Sequence, residues 1–230
     1  MIEENLKKVL DLISQGNDRG EKITLVGATK TMSVETINLA VEKGLRVVAE
    51  NRVQEFRDKC AFISPLARQH FIGRLQTNKV KYLVGKVDLI HSVDSLHLAE
   101  AIDKEAKKKG VIQDVLIEIN VGVEISKGGF SIETAKASVQ EIYRNCKNLR
   151  VCGLMTMLPH VEDEKLLVDL CKKTRSLYDD MKESGLPFEY LSMGMSNDYQ
   201  TAIKNGSNLI RLGRTIFGKR NYGEEKDGNI

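Results

Sequence analysis

Tryptophan is absent from this 230-residue sequence, proline occurs only three times, and aromatic residues make up 5% of the chain. So little proline rules out a polyproline or collagen-like rod, and 41% apolar residues rule out a chain too poor in hydrophobic groups to fold. No apolar stretch approaches the roughly 20 residues that a membrane-spanning helix needs, so no membrane role is expected. The opening MIEENLKKVLDLISQ carries glutamates and a helical period where a secretory leader would have a basic start and an apolar run. Neither sign of charge dominates: 35 basic and 32 acidic residues leave a net charge of +3. That balance provides no charged tail of the kind that addresses nucleic acid or a lipid surface. The densest basic run, KEAKKKG at 104–110, reads as the solvated end of a helix, where lysines oppose the helix dipole. Cysteine is scarce too. Cys60, Cys146, Cys152 and Cys171 form no CxxC pair, and none of the four histidines lies near one at metal-ligand spacing. The expectation is a metal-free cytosolic protein with reduced thiols.

What is present is alternation. After a helical start over residues 2–15, short apolar runs alternate with amphipathic segments. The strand-like runs are ITLVGAT (23–29), RVVAE (46–50), HFIG (70–73), VDLIHSV (87–93), VLIEINV (115–121), VCGLMTM (151–157), YLSMGM (190–195) and NLIRLG (208–213). Helical segments are expected over 33–43, 52–60, 76–84, 95–109, 131–147, 162–184 and 197–205, several opening on Ser, Asp or Asn and closing on glycine. Eight strands, each followed by a helix and with no composition break, predict a single (β/α)8 barrel over residues 1–230 with an extra N-terminal helix. An open doubly wound sheet is the alternative.

A parallel barrel gathers its functional groups at the carboxyl ends of its strands. Lys30 follows the first run, Glu50 and Asn51 the second, Gly73 and Arg74 the third, Ser196 the seventh, and Gly213, Arg214 and Thr215 the eighth. The last two loops are the usual phosphate site of such barrels, and GMSND and RLGRT suit it through hydroxyls, backbone N–H groups and a cation. A lysine opposite a phosphate loop suits Schiff-base chemistry, either in an aldolase or in a pyridoxal phosphate protein. Arg211, inside the last strand, favours the second, because a buried guanidinium has a natural partner in a pyridine nitrogen. The residues also have plain readings: Ser196 as a helix cap, His70, His91 and His97 as hydrogen-bonded structural groups, and Met155, Met157, Met193 and Met195 as core filling.

The stretches VGATKTMS, AENRVQE, HFIGRLQTNK, GLMTM, LSMGMSND and IRLGRTIFG occur in this order over residues 23–218. Together they closely resemble the pyridoxal phosphate homeostasis proteins. The resemblance implies a barrel like the N-terminal domain of alanine racemase, with pyridoxal 5′-phosphate held as an internal aldimine on Lys30. It further implies that Ser196, Gly213 and the residue after it hold the phosphate, that Arg211 faces the pyridine nitrogen, and that Asn51 lines the pocket. Many relatives have threonine or serine directly after the last glycine, whereas this chain has Arg214 and then Thr215. The racemases complete their site with a tyrosine from an added β domain, for which the residues past the last motif leave no room. A monomeric protein that buffers the cofactor, or delivers it to pyridoxal phosphate-dependent apoenzymes, is therefore expected. A minimal amino-acid racemase and a cofactor-responsive sensor are the alternatives.

Overall fold

The computed structural model describes residues 1–122, 128–161 and 163–218. Eight parallel strands close into a barrel in chain order: β1 (Thr24–Ala28), β2 (Val47–Glu50), β3 (Arg68–Phe71), β4 (Leu89–Val93), β5 (Gln113–Ile119), β6 (Leu149–Thr156), β7 (Tyr190–Ser192) and β8 (Leu209–Leu212). β8 pairs with β1 through Thr24↔Leu209 to Gly27↔Leu212, which closes the ring and excludes the open sheet. The helices are α1 (Ile2–Ile13), α2 (Val34–Glu42), α3 (Val53–Lys59), α4 (Leu96–Lys109), α5 (Ile132–Asn145), α6 (Glu164–Glu183), α7 (Tyr199–Lys204) and α8 (Arg214–Phe217). The expected start of the sixth helix, residue 162, lies outside the described residues, as does the end of the predicted domain, 219–230.

Local chemistry fixes where the helices begin. The hydroxyls of Ser33, Ser95 and Ser131 accept from the N–H groups of Thr36, Leu98 and Thr134 at 3.2–3.3 Å, and the Asp163 carboxylate accepts from Lys165 and Leu166. Each such cap contributes about 1 kcal/mol. The expected helix at 76–84 is instead a 3-10 segment, Thr77–Tyr82. The third strand lies two residues earlier than HFIG, because Arg68 and Gln69 pair with Val47 and Val48 despite their polarity.

Two shells of apolar side chains follow from strand alternation. Leu25, Val48, Ile210 and Leu212 face outward onto the helices, packing with Ile37 and Val41 of α2 and with Leu6 and Val9 of α1. Val26, Val47, Ala49 and Leu209 face inward and pack together. Leu89, Leu116, Cys152 and Met155 form a second inward group. α1 lies over the β8–β1 seam beside α8, where Asn5 Nδ2 donates to the Ile216 carbonyl at 3.2 Å. Leu6 is 0% exposed at that seam. Leu6→Ala is expected to lower unfolding free energy by about 2–5 kcal/mol, read as a lower urea midpoint at unchanged slope.

Candidate functional site

The inward set continues past the strand ends. Val26 and Ala28 alternate with the outward Leu25, and Thr29 turns outward to place its hydroxyl 2.7 Å from Glu50 Oε1, so the inward register passes to Lys30. By the same alternation, Val47 and Ala49 lead to Asn51, and Leu209 leads to Arg211 and Gly213. Gly213 comes so close to β1 that an added Cβ would sit 3.3 Å from the Ala28 carbonyl oxygen and 3.6 Å from the Ala28 Cβ. The first and last strands thus bring Lys30 and Gly213 to one mouth of the barrel.

Lys30 occupies a tight turn, closed by Met32 N–H donating to the Thr29 carbonyl at 3.0 Å. The next residue, Thr31, has φ of 67°, the one positive φ at a non-glycine position among the described residues. A β-branched residue held there costs about 1–2 kcal/mol. A polar clamp behind the turn offsets this strain. Glu55 Oε2 accepts from Thr31 N–H at 2.8 Å and from Lys59 Nζ at 2.7 Å, while Lys59 Nζ also reaches Glu50 Oε1 at 3.0 Å. Burial lowers the Lys59 pKa, but Glu55 and Glu50 outweigh it and hold the ammonium above its ordinary value. Burial raises Glu50, against the pull of Thr29 and Lys59. Glu50 therefore serves the turn from outside the barrel, and α3 supplies both of its neighbours in the clamp. The sequence marks Glu50 only as a residue at the end of the second run; the signal for Glu55 and Lys59 is their i, i+4 spacing on one helix face.

Arg211 is 4% exposed. Its Nη1 donates to the Ser192 carbonyl and hydroxyl, and its Nη2 to the Thr156 carbonyl at 2.9 Å. These hydrogen-bond partners are all neutral. Burial pulls its pKa down to about 10, while the charges of Asp198 and Glu118 oppose that shift. A cation so placed, with five N–H donors in its guanidinium, is suited to donate to a neutral ring nitrogen or an anion.

The last two loops meet where they were expected to. Thr215 N–H donates to Ser196 Oγ at 3.4 Å, and Gly213 caps α8, whose first N–H groups have no intrahelical acceptor. The Arg214 side chain is exposed, and its Nη2 donates to Asn197 Oδ1 at 3.0 Å, so it ties the two loops together. Asn51 Oδ1 is buried with no hydrogen-bond partner among the described residues, as is Glu50 Oε2. An orphaned amide oxygen beside an amine-bearing turn, a buried donor and a glycine-lined loop fits pyridoxal phosphate, which offers an aldehyde, a ring hydroxyl, a ring nitrogen and a phosphate.

Of the histidines, His70 and His91 are buried together in the barrel, with Nδ1 of His70 3.0 Å from Nε2 of His91, and His97 is exposed. Met155 and Met193 are core residues, whereas Met157 and Met195 are each 37% exposed. Among the described residues no group of His, Cys, Asp or Glu is placed to hold a metal ion, and no helix is long and apolar enough to cross a membrane.

Comparison with known proteins agrees with the fold. The family model for the alanine racemase N-terminal domain matches residues 2–221. The pyridoxal phosphate homeostasis protein of Aquifex aeolicus (strain VF5) is 44% identical over 225 residues, 95% of this chain and 98% of that one. The protein of the same name from Escherichia coli (strain K12) is 33% identical over 97% of this chain and 99% of its own. Among solved structures, PipY of Synechococcus elongatus PCC7942 with PLP bound superposes with a TM-score of 0.82 at 29% identity, covering 95% of this chain and all of PipY. Alanine racemase of Clostridium difficile 630 shares the fold at a TM-score of 0.79 and 16% identity, over 95% of this chain and 56% of its own. The chain belongs to the alanine racemase N-terminal domain family and, within it, to the pyridoxal phosphate homeostasis proteins.

Proposed function

We propose that this protein binds pyridoxal 5′-phosphate and serves its homeostasis, buffering the cofactor in the cytosol as a monomer and passing it to apoenzymes that need it. The observation that carries this reading is the β8–β1 pairing, which sets the Gly213 loop against Ala28, two residues from Lys30. An amine and an anion-binding loop then flank one pocket mouth, with the Arg211 guanidinium on the inward side of the same strand. Lys30 is the covalent anchor for the aldehyde. Arg211 donates to the ring nitrogen. Asn51 turns its amide oxygen to the ligand, and Ser196 with the backbone N–H groups of Arg214 and Thr215 holds the phosphate beside Gly213.

When bound, the cofactor supplies an aldehyde able to form imines and a ring that withdraws electrons. Arg211 limits the second property: a guanidinium only donates, so it keeps the ring nitrogen unprotonated and the ring a weak electron sink. That favours holding over turnover. The experiment loads the purified protein with one equivalent of pyridoxal phosphate, removes unbound ligand by gel filtration and incubates the complex with L-amino acids in deuterated water. Retained visible absorbance, with α-proton exchange no faster than free cofactor gives, is the expected result. Failure to retain the cofactor would overturn the binding, and sustained exchange at a catalytic rate would make the protein a racemase-like enzyme instead.

A further inference from the structure

Beneath Arg211, three side chains line up across the barrel in a row that the proposed cofactor contacts do not use. His70 of β3, His91 of β4 and Ser192 of β7 are 4%, 0% and 0% exposed. His70 Nδ1 lies 3.0 Å from His91 Nε2, His91 Nδ1 lies 3.3 Å from Ser192 Oγ, and Ser192 Oγ accepts from Arg211 Nη1. Burial holds both imidazoles neutral. The His70 pKa falls to about 3, pushed further by the charge of Arg68, and that of His91 falls well below its ordinary value, with His70 and Arg211 adding to the effect.

A neutral imidazole has one N–H and one acceptor nitrogen, so the protons of the row can be counted. Arginine only donates, which makes Ser192 Oγ an acceptor toward it. The serine's own proton then goes to His91 Nδ1. His91 carries its proton on Nε2 and donates to His70 Nδ1, and His70 carries its proton on Nε2. The opposite assignment puts an N–H on His91 Nδ1 and leaves the Ser192 hydroxyl proton with no acceptor in the row at a residue that is 0% exposed, whereas the chosen one ends on the N–H of His70, at the 4% exposed end of the row and not a fully buried unpartnered atom. An unspent donor at such depth costs about 1–3 kcal/mol.

We propose that His91 and His70 are positioning residues for Arg211, forming with Ser192 a one-way row of hydrogen bonds, both imidazoles in the Nε2–H tautomer, that fixes the guanidinium toward the ring nitrogen of the bound cofactor. The proposal rests on the reading of Arg211 as the ring-nitrogen donor. The serine hydroxyl is a free rotor unless something holds its proton, and His91 Nδ1 holds it, so the lone pair that receives Arg211 keeps one direction. His70 does the same one step back by fixing the tautomer of His91.

Two measurements on the full chain test this. The first is a long-range proton–nitrogen correlation spectrum of ligand-free protein labelled with 15N-histidine. His70 and His91 are expected as neutral rings protonated on Nε2; either ring protonated on Nδ1 overturns the row. The second follows the ring-nitrogen resonance of 15N-labelled pyridoxal phosphate, together with its Kd. His91→Phe and Ser192→Ala are expected to move that resonance and to weaken binding about tenfold, the size of one hydrogen bond. His91→Asn, which restores an acceptor toward Ser192, should recover most of the loss. An unmoved resonance and an unchanged Kd in folded Ser192→Ala overturn the positioning role, whether or not His91→Phe folds. If the wild-type chain takes up no pyridoxal phosphate, the functional reading and the cofactor half of this proposal fall together, while the tautomers still decide the row.

Discussion

Lys30→Ala is expected to abolish reductive trapping of the cofactor. Wild-type protein loaded with pyridoxal phosphate and reduced with borohydride should carry a stable pyridoxyl group on the peptide containing Lys30. In the variant that label, and the visible absorbance of the complex, should fall to background. The size of the effect follows from how the turn is built. Thr31 sits at φ of 67° with its N–H held by Glu55, and Glu55 and Glu50 share the single ammonium of Lys59. A strained turn clamped from behind carries Lys30 at the mouth, the Lys59 ammonium lies behind that turn on Glu55 and Glu50, and a guanidinium such as that of Arg214 forms no reducible imine. A reducible label persisting in Lys30→Ala would remove Lys30 from the site.

Gly73→Ala is expected to be among the most damaging single-methyl changes in the barrel. An added Cβ at Gly73 would stand 1.9 Å from the Asn51 carbonyl oxygen and 2.7 Å from its Cα, all backbone atoms with no rotamer to yield. The segment that leaves β2 or the one that leaves β3 must shift, and the strands that carry them are locked into the closed ring by their register. A loss of about 3 kcal/mol or more is expected, at the upper end of the overpacking range. Chemical denaturation measures it, and a change below about 0.5 kcal/mol would show that the loop yields freely. Because the displaced residue is Asn51, cofactor affinity should fall in the same variant even under conditions where it remains folded.

The strand ends were the most legible part of the sequence. Apolar runs of four to seven residues with a lysine, an asparagine or a glycine at their carboxyl ends announce an α/β barrel and its mouth together, and Lys30, Asn51 and Gly213 lie just past the ends of β1, β2 and β8, with Arg211 inside β8. Strand boundaries were blurred wherever polar residues take part in pairing. β5 begins at Gln113 and β6 at Leu149, before their apolar runs, because Gln113 pairs with Leu149 and Asp114 with Arg150, whose side chains form an ion pair across the two strands. The segment TNKVKY kept a helix-like pattern but winds as 3-10, with the ring of Tyr82 beneath the Arg57 guanidinium at 4.4 Å. The row from His70 to Arg211 was not legible at all. Alternation tells which residues face inward but not which of them share a depth, and that depends on the stagger of a closed barrel.

The seam between β8 and β1 has a consequence for how the protein is made. Lys30 leaves the ribosome well before the Gly213 loop, so the two flanks of the mouth become neighbours only when β8 docks against β1. On the reading proposed above, a nascent chain that has not yet produced β8 exposes a lysine but lacks the anion-binding loop opposite it. The cofactor would then bind finished barrels in preference to unfinished ones, and its binding free energy would add to the ring closure that carries the largest loop-entropy cost in the molecule. On that reading, cofactor uptake keeps step with the closing of each barrel.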